Sequence, residues 1–315
     1  MSNVPPMSMP PANWPAAPEV EYLSVLPQPR KPRVWTIYVT FVVLLIAMLA
    51  AAVGWVFVLW VVEDIRRAQA GMRPIDPHDL VSLLMTPFGL LPDAVLNSVM
   101  EAGAVIVPTL LVRRSVRQRL RLVKPRGPAW AWLIAAVGGI GYSLLFDVAM
   151  RRLGLRSEPL EQLDLMFRAL GPVLLCVSTI VVGGLAPLTE ELVFRGYIQT
   201  RLEQRHGALL AILISSVLFG IFHMDLVHGT FACGFGVYMG ILAWRTGSIY
   251  PAIIAHAANN TFSSLASRFI PPPTPSADAG MLVGGAALAA LGLYLLFRHV
   301  SQRPAIAAVP PQAAL

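Results

Sequence analysis

Charge is what this sequence has least of. Only 13% of its 315 residues are Asp, Glu, Lys or Arg, about half the quarter usual in soluble domains. Hydrophobic residues make up 56% and fall in long runs, too long for one water-soluble core. Cysteine is nearly absent. Cys176 and Cys233 both lie in apolar runs, which excludes a disulfide framework and predicts two buried, inert thiols. No basic stretch precedes a short apolar core at the start, so no signal peptide is expected. Neither an internal repeat nor a soluble domain of useful size is visible. Two catalytic patterns are missing as well. There is no His-Glu-x-x-His helix, which removes the commonest soluble zinc-protease pattern, and no Gly-x-Ser-x-Gly elbow. With no convincing partner for either thiol, nucleophilic serine or cysteine catalysis is disfavoured.

What is present is a series of apolar runs, and they predict an all-α polytopic membrane protein with about eight transmembrane helices and an intramembrane active site. The runs lie at 34–62, 93–112, 129–150, from about 170 onward, 208–224, 229–244, 249–266 and 280–297. A short apolar piece at 80–91 precedes the second. The fourth carries a helical pattern to Arg201 and Arg205, with Gly207 as a stop signal. The loops read as mixed in charge at 63–79, balanced at 151–168 and proline-rich from Pro271 to Pro275. Four segments result: 1–33, a disordered Pro-rich cytoplasmic tail; 34–165, the N-terminal spans and a basic loop; 166–268, the membrane core that holds the motifs; 269–315, the last span and a disordered tail.

Arginine and lysine set the topology. Arg113, Arg114, Arg117, Arg119, Arg121, Lys124 and Arg126 form a loop without one acid, which the positive-inside rule places in the cytoplasm. Eight spans then put Arg201/Arg205, Arg245, Arg298 and both termini on that same side. The expected location is an integral, multi-pass cell membrane. The +7 net charge is spent at the ends of apolar runs, so no nucleic-acid partner is expected.

Ionisable groups inside spans are expensive and point to function. The stretch 183–196 holds Glu190, Glu191 and Arg195. Glu191 and Arg195 are four apart in the favourable order for an ion pair; Glu190 lies about 100° around the helix. One acid is thus structural and the other free for chemistry. Gly183, Gly184 and Pro187 are expected to bend the helix and admit water. His223 closes an apolar helix, and His256 and Asn260 share a helix face. Counting about 1.5 Å per residue from the cytoplasmic turns puts Glu190, His223 and His256 at similar depths, roughly 16–24 Å. A second polar row, Asp93, Asn97 and Glu101, repeats every four residues; it reads either as a packed polar stripe or as a proton or substrate path. Asp225, His228, His78, His206 and His299 receive no role.

A carboxylate, histidines and an amide suit hydrolysis. Glu190 can activate water as a general base, and His256 with Asn260 can donate to a developing oxyanion. The same atoms, Glu190, His223 and His256, could also hold zinc. The motifs Glu190-Glu191-x-x-x-Arg195, Phe219-x-x-x-His223 and His256-x-x-x-Asn260 stand in this order on successive apolar helices. In them the chain resembles the CPBP family (CAAX proteases and bacteriocin-processing enzymes), also called Abi. The resemblance covers about 170–265 and implies an intramembrane endopeptidase. It implies that Glu190 activates water with His223 assisting, that His256 and Asn260 stabilise the oxyanion, and that Glu191 and Arg195 support them. It favours no metal cofactor over zinc. The implied partners are a membrane-associated peptide or protein substrate and the lipid bilayer; the oligomeric state is open. The alternatives are a non-catalytic membrane immunity or scaffold protein and, with no repeat symmetry to support it, a transporter. The final Gln-Ala-Ala-Leu lacks a prenylatable cysteine, so the chain is not its own CAAX substrate.

Overall fold

The computed structural model describes residues 33–76, 79–111 and 115–301. The expected disordered tails, His78, Arg113 and Arg114 lie outside them. Among the described residues there are eleven helices and no strand: α1 (Trp35–Gln69), α2 (Leu80–Leu84), α3 (Pro87–Leu111), α4 (Val116–Arg119), α5 (Ala129–Leu153), α6 (Glu158–Ala169), α7 (Pro172–His206), α8 (Ala208–Phe222), α9 (Leu226–Thr246), α10 (Tyr250–Phe269) and α11 (Asp278–His299). This is an all-α polytopic membrane protein. Its backbone polar groups are paired within helices, the solution that hydrocarbon imposes on an open chain.

Six helices (α1, α3, α5, α7, α9 and α11) are long and apolar enough to cross a membrane. The other two expected spans differ from them. α8 has only 15 residues, about 22 Å at 1.5 Å per residue, short of the ~30 Å hydrocarbon core. α10 has 20 residues, but the polar side chains of the site dilute its hydropathy. The loops needed correction too. α1 runs on through Glu63 to Gln69, because Arg66 and Arg67 both pair with Glu63 on the last turns. Within 151–168 lies α6, which opens on the Ser157 side chain accepting from Leu160 N and buries Met166 and Phe167.

One end of the bundle gathers the basic clusters. Arg121 pairs with Glu203 of α7 at 2.5 Å, and its carbonyl accepts from Ile249 N before α10. Arg126 donates to Thr246 O and Trp244 O at the end of α9, and Arg245 donates to Phe297 O of α11. At the opposite end Asp278 of α11 binds Arg151 and Arg152 of α5 at 2.9 and 2.7 Å. Between these ends α5 and α11 touch backbone to backbone. A Cβ on Gly141 would lie 2.4 Å from Gly285 O, the close approach through small residues that membrane helices use in place of a hydrophobic drive.

The thiols are not as expected. Both are free, but Cys176 is exposed and Cys233 half-buried. An apolar run in a membrane protein faces lipid as readily as protein, so hydropathy alone does not imply burial.

Candidate active site

α7 carries the two adjacent glutamates, and it does not break at Gly183-Gly184. It widens instead. A π-helical turn spans Val181–Leu185 and a longer one Leu192–Gln199, with six α-helical residues, Ala186–Glu191, between them. Such turns leave carbonyls without their usual partners. Asn260 Nδ2 donates to Val182 O at 3.1 Å, Ser215 Oγ to Phe194 O at 2.9 Å and Thr200 Oγ1 to Arg195 O at 2.9 Å. At Gly183 α10 comes close: an added Cβ would sit 2.5 Å from Thr261 Oγ1. The bend expected to admit water is therefore closed by α10 at Gly183. An open cavity of about 480 Å³ lies one turn earlier, lined among others by Cys176, Thr179, Ile180 and Leu265.

Glu191 and Arg195 form the expected ion pair, 2.7 Å apart and fully buried. The guanidinium also donates to Gly236 O at 3.1 Å and stacks on Phe219, 4.5 Å from the ring centre. Glu191 does more than balance this charge. Its Oε1 lies 3.0 Å from His256 Nδ1. A carboxylate only accepts, so Nδ1 donates and the ring is fixed with Nε2 turned the other way. That nitrogen lies 3.8 Å from Glu190 Oε2. One imidazole thus stands between both glutamates. Phe219 and Phe235 present ring edges to it, with centroids at 5.7 and 6.0 Å.

Glu190 keeps its expected independence from Arg195 in hydrogen bonding, and its Oε2 has no hydrogen-bond partner among the described residues. His223 sits on Phe219, its Nδ1 2.8 Å from the Phe219 carbonyl. Since a carbonyl cannot donate, Nδ1 carries the hydrogen and Nε2 keeps its lone pair in the neutral ring. Asn260 uses one N–H on Val182 O and accepts from Asn259 at 3.3 Å. Asn259 in turn accepts a short bond from Ser143 of α5. Glu190, Glu191, Arg195 and His256 thus meet directly. His223 shares Phe219 with His256, and Asn260 lies one turn along α10 from His256.

Three neighbours were missed. Thr189 donates to the buried Glu101 of α3 at 2.6 Å; the two are 88 residues apart and no local spacing reveals the contact. His228 stacks edgewise on His223 with ring centroids 4.3 Å apart. Asp225 caps α9 by accepting from His228 N at 2.6 Å, a role its position before an apolar run could have signalled. For zinc, no three His, Cys, Asp or Glu side chains among the described residues stand as a ligand set; His256 already faces one glutamate with each nitrogen.

The family described as "Type II CAAX prenyl endopeptidase Rce1-like" matches residues 172–262, from the first residue of α7 into α10 past Asn260. The chain is also similar to "Putative membrane peptidase YdiL" of Bacillus subtilis (strain 168), 33% identical over 172 residues, 52% of this chain and 68% of that protein. No solved structure matches.

Proposed function

This chain belongs to the Rce1-like, CPBP family of membrane peptidases, and from that premise we propose that it hydrolyses a peptide bond of a membrane-associated substrate with a water activated by Glu190. The peptide hydrolase activity comes with the family; the division of labour among residues is the proposal. Glu190 takes a proton from water as the oxygen attacks the scissile carbonyl carbon. His223, with Nε2 unprotonated, holds that water. The carbonyl oxygen gains the charge, and Asn260 receives it through its second N–H, as does His256 through Nε2 when both ring nitrogens carry hydrogen, one facing each glutamate. When the C–N bond breaks, Glu190 returns its proton to the leaving amine. Glu191, anchored by Arg195, keeps the His256 ring turned toward Glu190.

The observation that carries this reading is the placement of His256 between Glu191 at 3.0 Å and Glu190 at 3.8 Å. It supplies a base, an electrophilic partner and a rigid backing in one contact chain. We assign no metal to the site. The direct test is a membrane-tethered peptide in liposomes. The wild-type protein is expected to cleave it before and after dialysis against a chelator, and Glu190→Ala to leave it intact. Cleavage retained in Glu190→Ala would sink the mechanism, and cleavage lost to the chelator and restored by zinc would sink its metal-free form.

A further inference from the structure

The polar face of α3 takes no part in the chemistry above. Asp93, Asn97 and Glu101 follow at four-residue intervals and so lie on one side of the helix. Burial deepens along them: Asp93 and Asn97 are half-buried and Glu101 is 3% exposed. Asn97 donates to Asp93 Oδ2 at 3.0 Å. Asp93 Oδ1 and Asn97 Oδ1 are buried and find no hydrogen-bond partner among the described residues. Glu101 accepts from Thr189, the residue before Glu190.

α3 and α7 run parallel, since Leu90 packs in the cluster of Leu175 while Glu101 meets Thr189. Asp93 and Asn97 therefore stand at the level of the first π turn of α7. Ser178 stands just before that turn on α7. It is fully buried, and its hydroxyl has no hydrogen-bond partner among the described residues. At the inner end Glu190 Oε2 has none either.

Orphaned polar atoms in hydrocarbon are costly, and water satisfies them where a site is polar enough to hold it. Each turnover of a hydrolase consumes one water, and these carboxylates lie inside a membrane protein. We propose that the Asp93–Asn97–Glu101 face of α3, together with Ser178 of α7, is the route by which water reaches Glu190. The Glu101–Thr189 contact is its inner end, and it opens near Asp93, at the end of the bundle remote from the Arg121–Glu203 pair. This rests on Glu190 being the residue that activates water.

The test separates the route from the chemistry. In the full chain with Cys176→Ala and Cys233→Ala, reconstituted in liposomes, Asn97→Cys is exposed to a charged methanethiosulfonate and compared with Val99→Cys. Val99 is 64% exposed on another face of the same turn, where the protein meets lipid. Such reagents need a thiolate in water, so position 97 is expected to label about tenfold faster or more. Asn97→Leu, and independently Ser178→Val should the leucine fail to fold, are expected to lower kcat about tenfold with KM unchanged, as for a step after substrate binding. Equal labelling at 97 and 99 overturns the route, and so does an unchanged kcat in a folded variant. Labelling does not depend on cleavage, so a Glu190→Ala protein that still cleaves would reject Glu190 as the residue that activates water and leave the thiol comparison standing.

Discussion

Arg195 and Glu191 are both fully buried. Removing the guanidinium would strand a carboxylate in the protein interior, which typically costs about 3–5 kcal/mol. Arg195→Ala should therefore unfold much more readily in detergent than wild type, as measured by denaturant titration, with Arg195→Lys recovering only part because a point charge cannot also bond Gly236 O. Asn260→Ala tests the oxyanion role. One such donor is worth roughly 2.7–4 kcal/mol in the transition state, so single-turnover cleavage should slow about a hundredfold or more while substrate affinity holds. At this scale the sequence exposed most of the candidate site. Glu190, Glu191, Arg195, His223, His256 and Asn260 were all singled out by helix spacing and family resemblance. The tie from Glu191 to His256, 65 residues on, was not, because local spacing reports only partners on the same helix.

The elements hold the site through an irregularity. A strict 3.6-residue period cannot register a π turn, so the sequence suggested a bend at Gly183-Gly184 where the helix instead widens and offers Val182 O to Asn260. Gly183 then lets α10 lie against α7. Gly183→Ala should push the helices apart, costing about 1–3 kcal/mol as overpacking and slowing cleavage as Asn260 leaves Val182. Thr261→Ala removes the nearest atom. Stability of the double variant should exceed the sum of the single effects, a coupling that residues in contact show; strict additivity would mean that the contact is not the cause. α6 went unread because its few apolar residues are shared among charges that a loop would also carry.

At the scale of the whole molecule, the orientation expected in the membrane rests on where arginines collect. The sequence grouped Arg121, Arg201/Arg205, Arg245 and Arg298 on one side, and the structure brings Arg121, Arg126 and Arg245 onto the ends of α7, α9 and α11. If that end is cytoplasmic, Ala277→Cys should react with an impermeant thiol reagent in intact cells, and Arg205→Cys only after permeabilisation; the native cysteines are replaced in both. The number of spans was legible only in part. α8 and α10 are recognisable as helices, yet one is too short and the other too polar to cross alone, and what they pack against is settled by tertiary contacts.

The division of labour between the two glutamates is tested most directly by one comparison, single-turnover cleavage and denaturant stability of Glu190→Gln measured on the same preparation. Glutamine keeps the shape and removes the base, so the rate should fall by about 10²–10⁴ while stability stays within about 1 kcal/mol of wild type. A folded Glu190→Gln protein that cleaves at the wild-type rate would contradict the assignment of Glu190 as the residue that activates water.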